Sequence, residues 1–101
     1  MKIKDGYILR EIAGSFVVIP ESGDMVLDGI ITLNESGAFL FNLLKEEQTK
    51  DQLLNAMLKE YNIDNLTAEK DLNLFLERLN KTDIVEWNIA LWYAAGNYRK
   101  T

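Results

Sequence analysis

The residues able to do chemistry in this chain are carboxylates, lysines, tyrosines and serines. Its 101 residues include no His and no Cys. The commonest general base and the commonest metal ligand are therefore both missing, as are thiolate nucleophiles, disulfides and Cys-held zinc. Carboxylates remain as acid/base candidates: Glu46 with Glu47, Asp64, Asp71 with Glu77, and Asp83 with Glu86. Acid/base work needs two carboxyls converging in a cleft that splits their pKa values. Nearly all of these fall on expected helix exteriors or loops, where they read as solvated charge. No twelve-residue stretch has the alternating oxygen ligands of a calcium loop. The glycines are scattered, with no phosphate-cradling motif. No catalytic residue, metal site or cofactor is expected, and binding is favoured over enzymatic activity.

The elements that must position a binding site divide near residue 33. Before it, strand signals dominate. Tyr7–Ile12 alternates, with Tyr7 and Leu9 on one face and Ile8, Arg10 and Ile12 on the other. Ala13-Gly14-Ser15 reads as a hairpin turn. Phe16–Ile19 is a second strand, ended by Pro20, which cannot donate to a ladder. Met25–Leu27 is a candidate short strand and Gly29–Leu33 a better one. After residue 33 the period becomes helical. Asn34 caps a first helix to about Lys45, apolar over most of Ala38–Leu44. Thr49 with Gln52 makes a capping box for a second helix to about Tyr61, with Leu53, Leu54, Met57, Leu58 and Tyr61 as its stripe. Asn62–Leu66 is a connector, and Thr67 is expected to cap a third helix to about Lys81. Ile84–Trp87 reads as a strand. Asn88 is a cap candidate for a short helix in a tail crowded with Trp87, Trp92, Tyr93 and Tyr98.

Strands first and helices after imply an α+β domain of three short N-terminal strands followed by three α-helices. Two short helices and a third, beside a strand layer, make it winged helix-turn-helix-like. A domain of residues 1–86 with an aromatic tail at 87–101 is expected.

Charge then separates the functions such a fold could serve. The chain carries 11 Lys+Arg against 16 Asp+Glu, for a net charge of -5. From Glu46 to Glu86 the basic residues are only Lys50, Lys59, Lys70, Arg78 and Lys81, and neither of the last two helices has a basic stripe. Phosphate neutralisation needs clustered Lys and Arg. A DNA-binding winged-helix regulator is the alternative reading, and nucleic acid is not an expected partner. A membrane is not expected either. The longest apolar run, Ile89–Ala95, is seven residues, where a span needs about 20, and the N-terminus lacks the apolar stretch of a signal peptide. The chain is expected to be cytoplasmic.

Two features remain. An open strand edge presents unpaired N–H and C=O groups that can accept a peptide as an extra strand. Gly29–Leu33 is a candidate edge. On the third helix, Ala68, Leu72, Phe75, Leu76 and Leu79 share the core face at about 100° per residue. Asp71, Leu74 and Arg78 form a flanking stripe at i, i+3 and i+7 spacing. Strand and stripe together would make a groove with one hydrogen-bonding wall and one side-chain wall.

The segments YILREIAGSFVVIP, ITLNESGAFLFNLL and AEKDLNLFLERL resemble the PqqD-like family of peptide chaperones, also called RiPP recognition elements. The most telling part is Leu33-Asn34-Glu35-Ser36-Gly37 ahead of an apolar helix. Arg10, Pro20 and Asp71 before Phe75-Leu76 also fit the family pattern. The resemblance covers roughly residues 5–85. Asp83 departs from it, since Gly is frequent there, and the tail from Trp87 lies outside it. It implies a non-enzymatic adaptor. Such proteins bind the leader region of a ribosomally synthesised precursor peptide as an added strand and present it to a modifying enzyme, often a radical SAM maturase. The implied peptide-binding residues are Ile30, Ile31, Thr32, Leu33, Asp71, Leu74, Phe75 and Arg78. The tail is read as a surface that could pair two copies into a homodimer. The acidic balance suggests a basic leader or partner surface.

Overall fold

The computed structural model describes residues 1–22, 31–82 and 84–86. The candidate strand Met25–Leu27, Gly29, Ile30, Asp83, the Asn88 cap and the aromatic tail lie outside the described residues. The elements are β1 (Lys2–Ile3), β2 (Tyr7–Ile12), β3 (Ser15–Pro20), β4 (Ile31–Leu33), α1 (Glu35–Leu43), α2 (Lys50–Glu60), α3 (Asn65–Asn80) and β5 (Val85–Glu86). The α+β order of an N-terminal sheet followed by three helices is as expected.

The antiparallel sheet β2-β3-β4 starts from a two-residue hairpin turn at Ala13-Gly14. Both turn residues have positive φ, 51° and 82°. A turn that bends with the right-handed strand twist requires this. Gly14 adopts it freely, whereas the Cβ of Ala13 costs roughly 1–2 kcal/mol there. Across the sheet, Leu9 faces Val18, which faces Ile31, and Phe16 faces Leu33. These side chains, with Tyr7, pack on the helices. Arg10, Val17 and Thr32 form the next cross-strand row, whose side chains take the other face.

The helices follow their apolar faces. Phe41, Leu44, Leu53, Met57, Leu72 and Leu79 have no exposed surface. Burying each such side chain is worth about 1.5–3 kcal/mol. Ala68, Leu72, Phe75 and Leu79 of α3 all point into this core, with Leu76 partly buried against it. The α2 capping box forms as read. Thr49 N–H donates to Gln52 Oε1 at 2.8 Å, and Gln52 N–H donates to Thr49 Oγ1 at 3.1 Å. Tyr61 ends α2 in an edge-on contact with Phe39, ring centres 5.6 Å apart. Burial, then Glu35 and Glu60, push its phenol pKa up.

Two expectations are corrected. The cap of α3 is Asp64, not Thr67. The Asp64 carboxylate accepts the Thr67 N–H at 2.7 Å, so the helix starts at Asn65 and takes in residues read as a connector. Either residue type can cap; Asp64 adds a negative charge at the positive end of the helix. The second correction is the ribbon of β1 and β5, Lys2 opposite Glu86 and Ile3 opposite Val85. Only its second half was read as a strand. Ile3 N–H also donates to the Leu44 carbonyl at 2.8 Å, tying the ribbon to the end of α1.

The Asp64 cap carries a pH dependence. Its hydrogen bonds with Thr67 lower its pKa below the ordinary carboxylate value. A carboxylate with a depressed folded pKa stabilises above its unfolded pKa, and loses that contribution as pH falls through the folded one. Asp64→Ala is therefore expected to lower Tm near neutral pH and to converge on the parent protein in acid. Asp64→Asn keeps the cap acceptor and should recover most of the neutral-pH loss. Thermal melts across pH test this, and an Asp64→Ala penalty that persists undiminished in acid would contradict it.

Candidate functional site

The groove begins where β4 passes into α1. Ile31 and Leu33 turn their side chains into the core, each 4% exposed, and Thr32 between them is exposed. Asn34 then caps α1. Its Oδ1 accepts the Gly37 N–H at 2.8 Å and the Ser36 hydroxyl at 3.1 Å. Gly37 is buried, and a Cβ there would sit 3.1 Å from both Asn34 Oδ1 and the Leu33 Cβ. The small residue lets the first turn of α1 close onto the end of β4.

α3 forms the opposite wall. A cavity of about 100 Å³ lies between Leu33, Asn34, Ser36 and Gly37 on one side and Asp71, Leu74, Phe75 and Arg78 on the other. The whole flanking stripe of α3 is thus brought to the end of β4. Leu74 is 64% exposed, a large apolar side chain left open at this wall. Phe75 is 5% exposed and contributes to the floor from the core side.

Arg78 closes the geometry. Its Nη1 donates to the Thr32 carbonyl at 2.9 Å, joining residues 46 positions apart. This contact fixes how β4 presents its backbone. In an antiparallel ladder the N–H and C=O of one residue point to the same side, and successive residues alternate. A carbonyl that accepts from α3 faces away from β3, so the Thr32 N–H faces away as well. Ile31 and Leu33 then serve the ladder with Val18 and Phe16. β4 is an edge strand of the described sheet, and Thr32 is the residue of β4 whose backbone it offers.

Of the residues expected to bind peptide, Leu33, Asp71, Leu74, Phe75 and Arg78 line the cavity, and Thr32 lies beside it through its bond to Arg78. Ile31 is a core residue that does not reach the cavity. Asn34, Ser36 and Gly37 were not foreseen as lining. The Leu-Asn-Glu-Ser-Gly stretch was legible as a helix cap, but its second role needs α3 opposite it. Among the described residues, no group of three or more acidic residues is placed to hold a metal.

The profile of the family described as Coenzyme PQQ synthesis protein D (PqqD) matches residues 14–85. The chain belongs to the PqqD family. The matched span runs from the β2-β3 turn to the start of β5 and so contains both walls of the groove. Among solved structures, the fold is similar to that of TbiB1 in complex with the TbiA(beta) leader peptide. The TM-score is 0.65 and the identity 26%, over 87% of this chain and 98% of that one. No curated protein matches the chain in sequence. The PqqD match and the TbiB1 likeness agree with the α+β order and place this chain among proteins that include a leader-peptide binder.

Proposed function

We propose that this protein is a non-enzymatic adaptor that captures the leader region of a ribosomally synthesised precursor peptide. The leader adds as a strand to the free edge of β4, beside α3, and is presented to a modifying enzyme, expected to be a radical SAM maturase. One observation carries the reading: the outward Thr32 backbone and the exposed Leu74 share one groove. The PqqD membership and the likeness to a protein solved with a leader peptide support it. Nothing favours the DNA-binding alternative. No helix among the described residues is long and apolar enough to cross a membrane. The domain of residues 1–86 would do the binding, and residues 87–101 are proposed to pair two copies or contact the maturase.

Energetics divide the work between the walls. A micromolar complex needs about -8 kcal/mol. Thr32 offers one donor and one acceptor, and two strand bonds at roughly 0.5–1.5 kcal/mol each supply about 1–3. Ordering the peptide costs several kcal/mol more. Further strand bonds would need Ile30, which lies outside the described residues. Side chains must therefore carry most of the affinity, and Leu74 and the cavity are where they can.

The test is calorimetric titration with synthetic leader peptides from a short precursor gene next to this chain's gene. Binding in the micromolar range or tighter is expected. Failure of all leader peptides to bind overturns the adaptor reading.

A further inference from the structure

Arg78 holds the acceptor that strand addition requires. Whether an incoming strand runs parallel or antiparallel, it uses the outward carbonyl of Thr32. In the peptide-free protein that carbonyl already accepts from the Arg78 guanidinium at 2.9 Å. Arg78 sits on the exposed side of α3, and no carboxylate of the described residues is in ion-pair contact with it. Its neighbour Glu77 lies instead 3.9 Å from Lys81. The guanidinium is thus a cation resting on a neutral acceptor.

We propose that Arg78 guards the β4 edge and exchanges acceptors on binding, leaving the Thr32 carbonyl for a carboxylate of the incoming strand. This rests on the adaptor reading and names the chemistry of the peptide that the groove selects. A strand without an acid displaces Arg78 at a net loss, because a charge-assisted bond is traded for a neutral one. A strand with Asp or Glu at that position recovers more, because the guanidinium exchanges a neutral carbonyl for a charged carboxylate that it can bind through two parallel N–H···O bonds. The same contact therefore disfavours acid-free strands and favours acidic ones. Asp71 sets the direction. It lies seven residues earlier on α3, about 10 Å along the helix axis at 1.5 Å per residue. A peptide acid is repelled at the Asp71 end of the groove and attracted at the Arg78 end. This local preference stands beside the overall acidic charge, which favours basic residues elsewhere in the leader.

The experiment is a double-mutant cycle by calorimetry. The probes are synthetic leader peptides from any short precursor genes found beside this chain's gene, and versions with each Asp or Glu changed in turn to Asn or Gln. The proteins are the parent chain and Arg78→Met, which keeps an unbranched apolar stem and removes the guanidinium donors. One acid-to-amide change is expected to weaken the parent about tenfold, the equivalent of about 1.4 kcal/mol. It should leave Arg78→Met nearly unaffected. Without peptide, the Thr32 carbonyl carbon resonance should move in Arg78→Met, reporting the lost bond. Amide changes that act equally on both proteins, tight binding of an acid-free leader by the parent, or an unmoved Thr32 resonance would each overturn the acceptor exchange and leave the adaptor reading standing. Only absence of binding by the parent to every leader peptide overturns both.

Discussion

Thr32→Pro is expected to weaken leader capture strongly while the domain stays folded. Proline has no N–H, and its ring occupies the space on that side of the backbone. At most positions of a sheet this breaks a ladder bond. At Thr32 the N–H faces away from β3, so the ladder between β3 and β4 loses nothing, and edge strands tolerate proline in this orientation. The Thr32 side chain is exposed, so no core contact is lost. The incoming strand loses its bond to the Thr32 N–H, and the ring obstructs the approach needed for the bond to the carbonyl. Two bonds at roughly 0.5–1.5 kcal/mol each correspond to about a five- to 150-fold loss of affinity. Ile31→Pro and Leu33→Pro are the contrasting variants. Their N–H groups face β3 and their side chains are core, so both should unfold the sheet. Calorimetry with the leader peptide and thermal melts of the three variants check this together. A folded Thr32→Pro protein that binds as well as the parent would remove strand addition on β4 from the account.

Leu74→Asp is expected to be comparably damaging through the opposite wall. Leu74 is 64% exposed, so its loss leaves the core intact. A bound peptide that covers it gains a large part of the roughly 1.5–3 kcal/mol available to a leucine side chain. The aspartate loses that gain and places a second carboxylate one helical turn from Asp71, which lines the same cavity. A loss of at least about tenfold in affinity follows, with a smaller loss in Leu74→Ala. Leu66 provides a matched control. It is 67% exposed on the same helix but does not line the cavity. Leu66→Asp should leave peptide affinity unchanged. If Leu66→Asp and Leu74→Asp weakened binding alike, the effect would be one of general charge and the groove would be misplaced.

Both variants rest on features of different legibility. The Asp71, Leu74 and Arg78 stripe could be read from residue spacing, because an α-helix repeats every 3.6 residues whatever it packs against. The Thr49–Gln52 box was legible for a similar reason: its partners are three residues apart and need nothing else. The start of α3 was less so. Asp64 and Thr67 both carry cap-competent side chains, and local pattern does not choose between them. The β1-β5 ribbon was half hidden because two-residue strands have no period to detect. Ile3 and Val85 become strands only because the folded core brings them side by side.

What the sequence determined by itself is the chemistry that is absent and the faces of the helices. Without His or Cys the acid/base options narrow to carboxylates, lysines and tyrosines and the metal ligands to oxygens, and composition alone establishes that. The alternation Ile31-Thr32-Leu33 likewise places the Thr32 side chain opposite its neighbours. The direction of its backbone groups is another matter. Side-chain alternation says which face of a sheet a residue takes, while the order of strand pairing decides which edge stays open. That order, β2-β3-β4, comes from contacts distant in the chain. So does the guanidinium of Arg78 on the Thr32 carbonyl. Only the tertiary structure could place that cation on the outward carbonyl of Thr32, because the energy of the contact depends on the packing of α3 beside β4 and not on either segment alone.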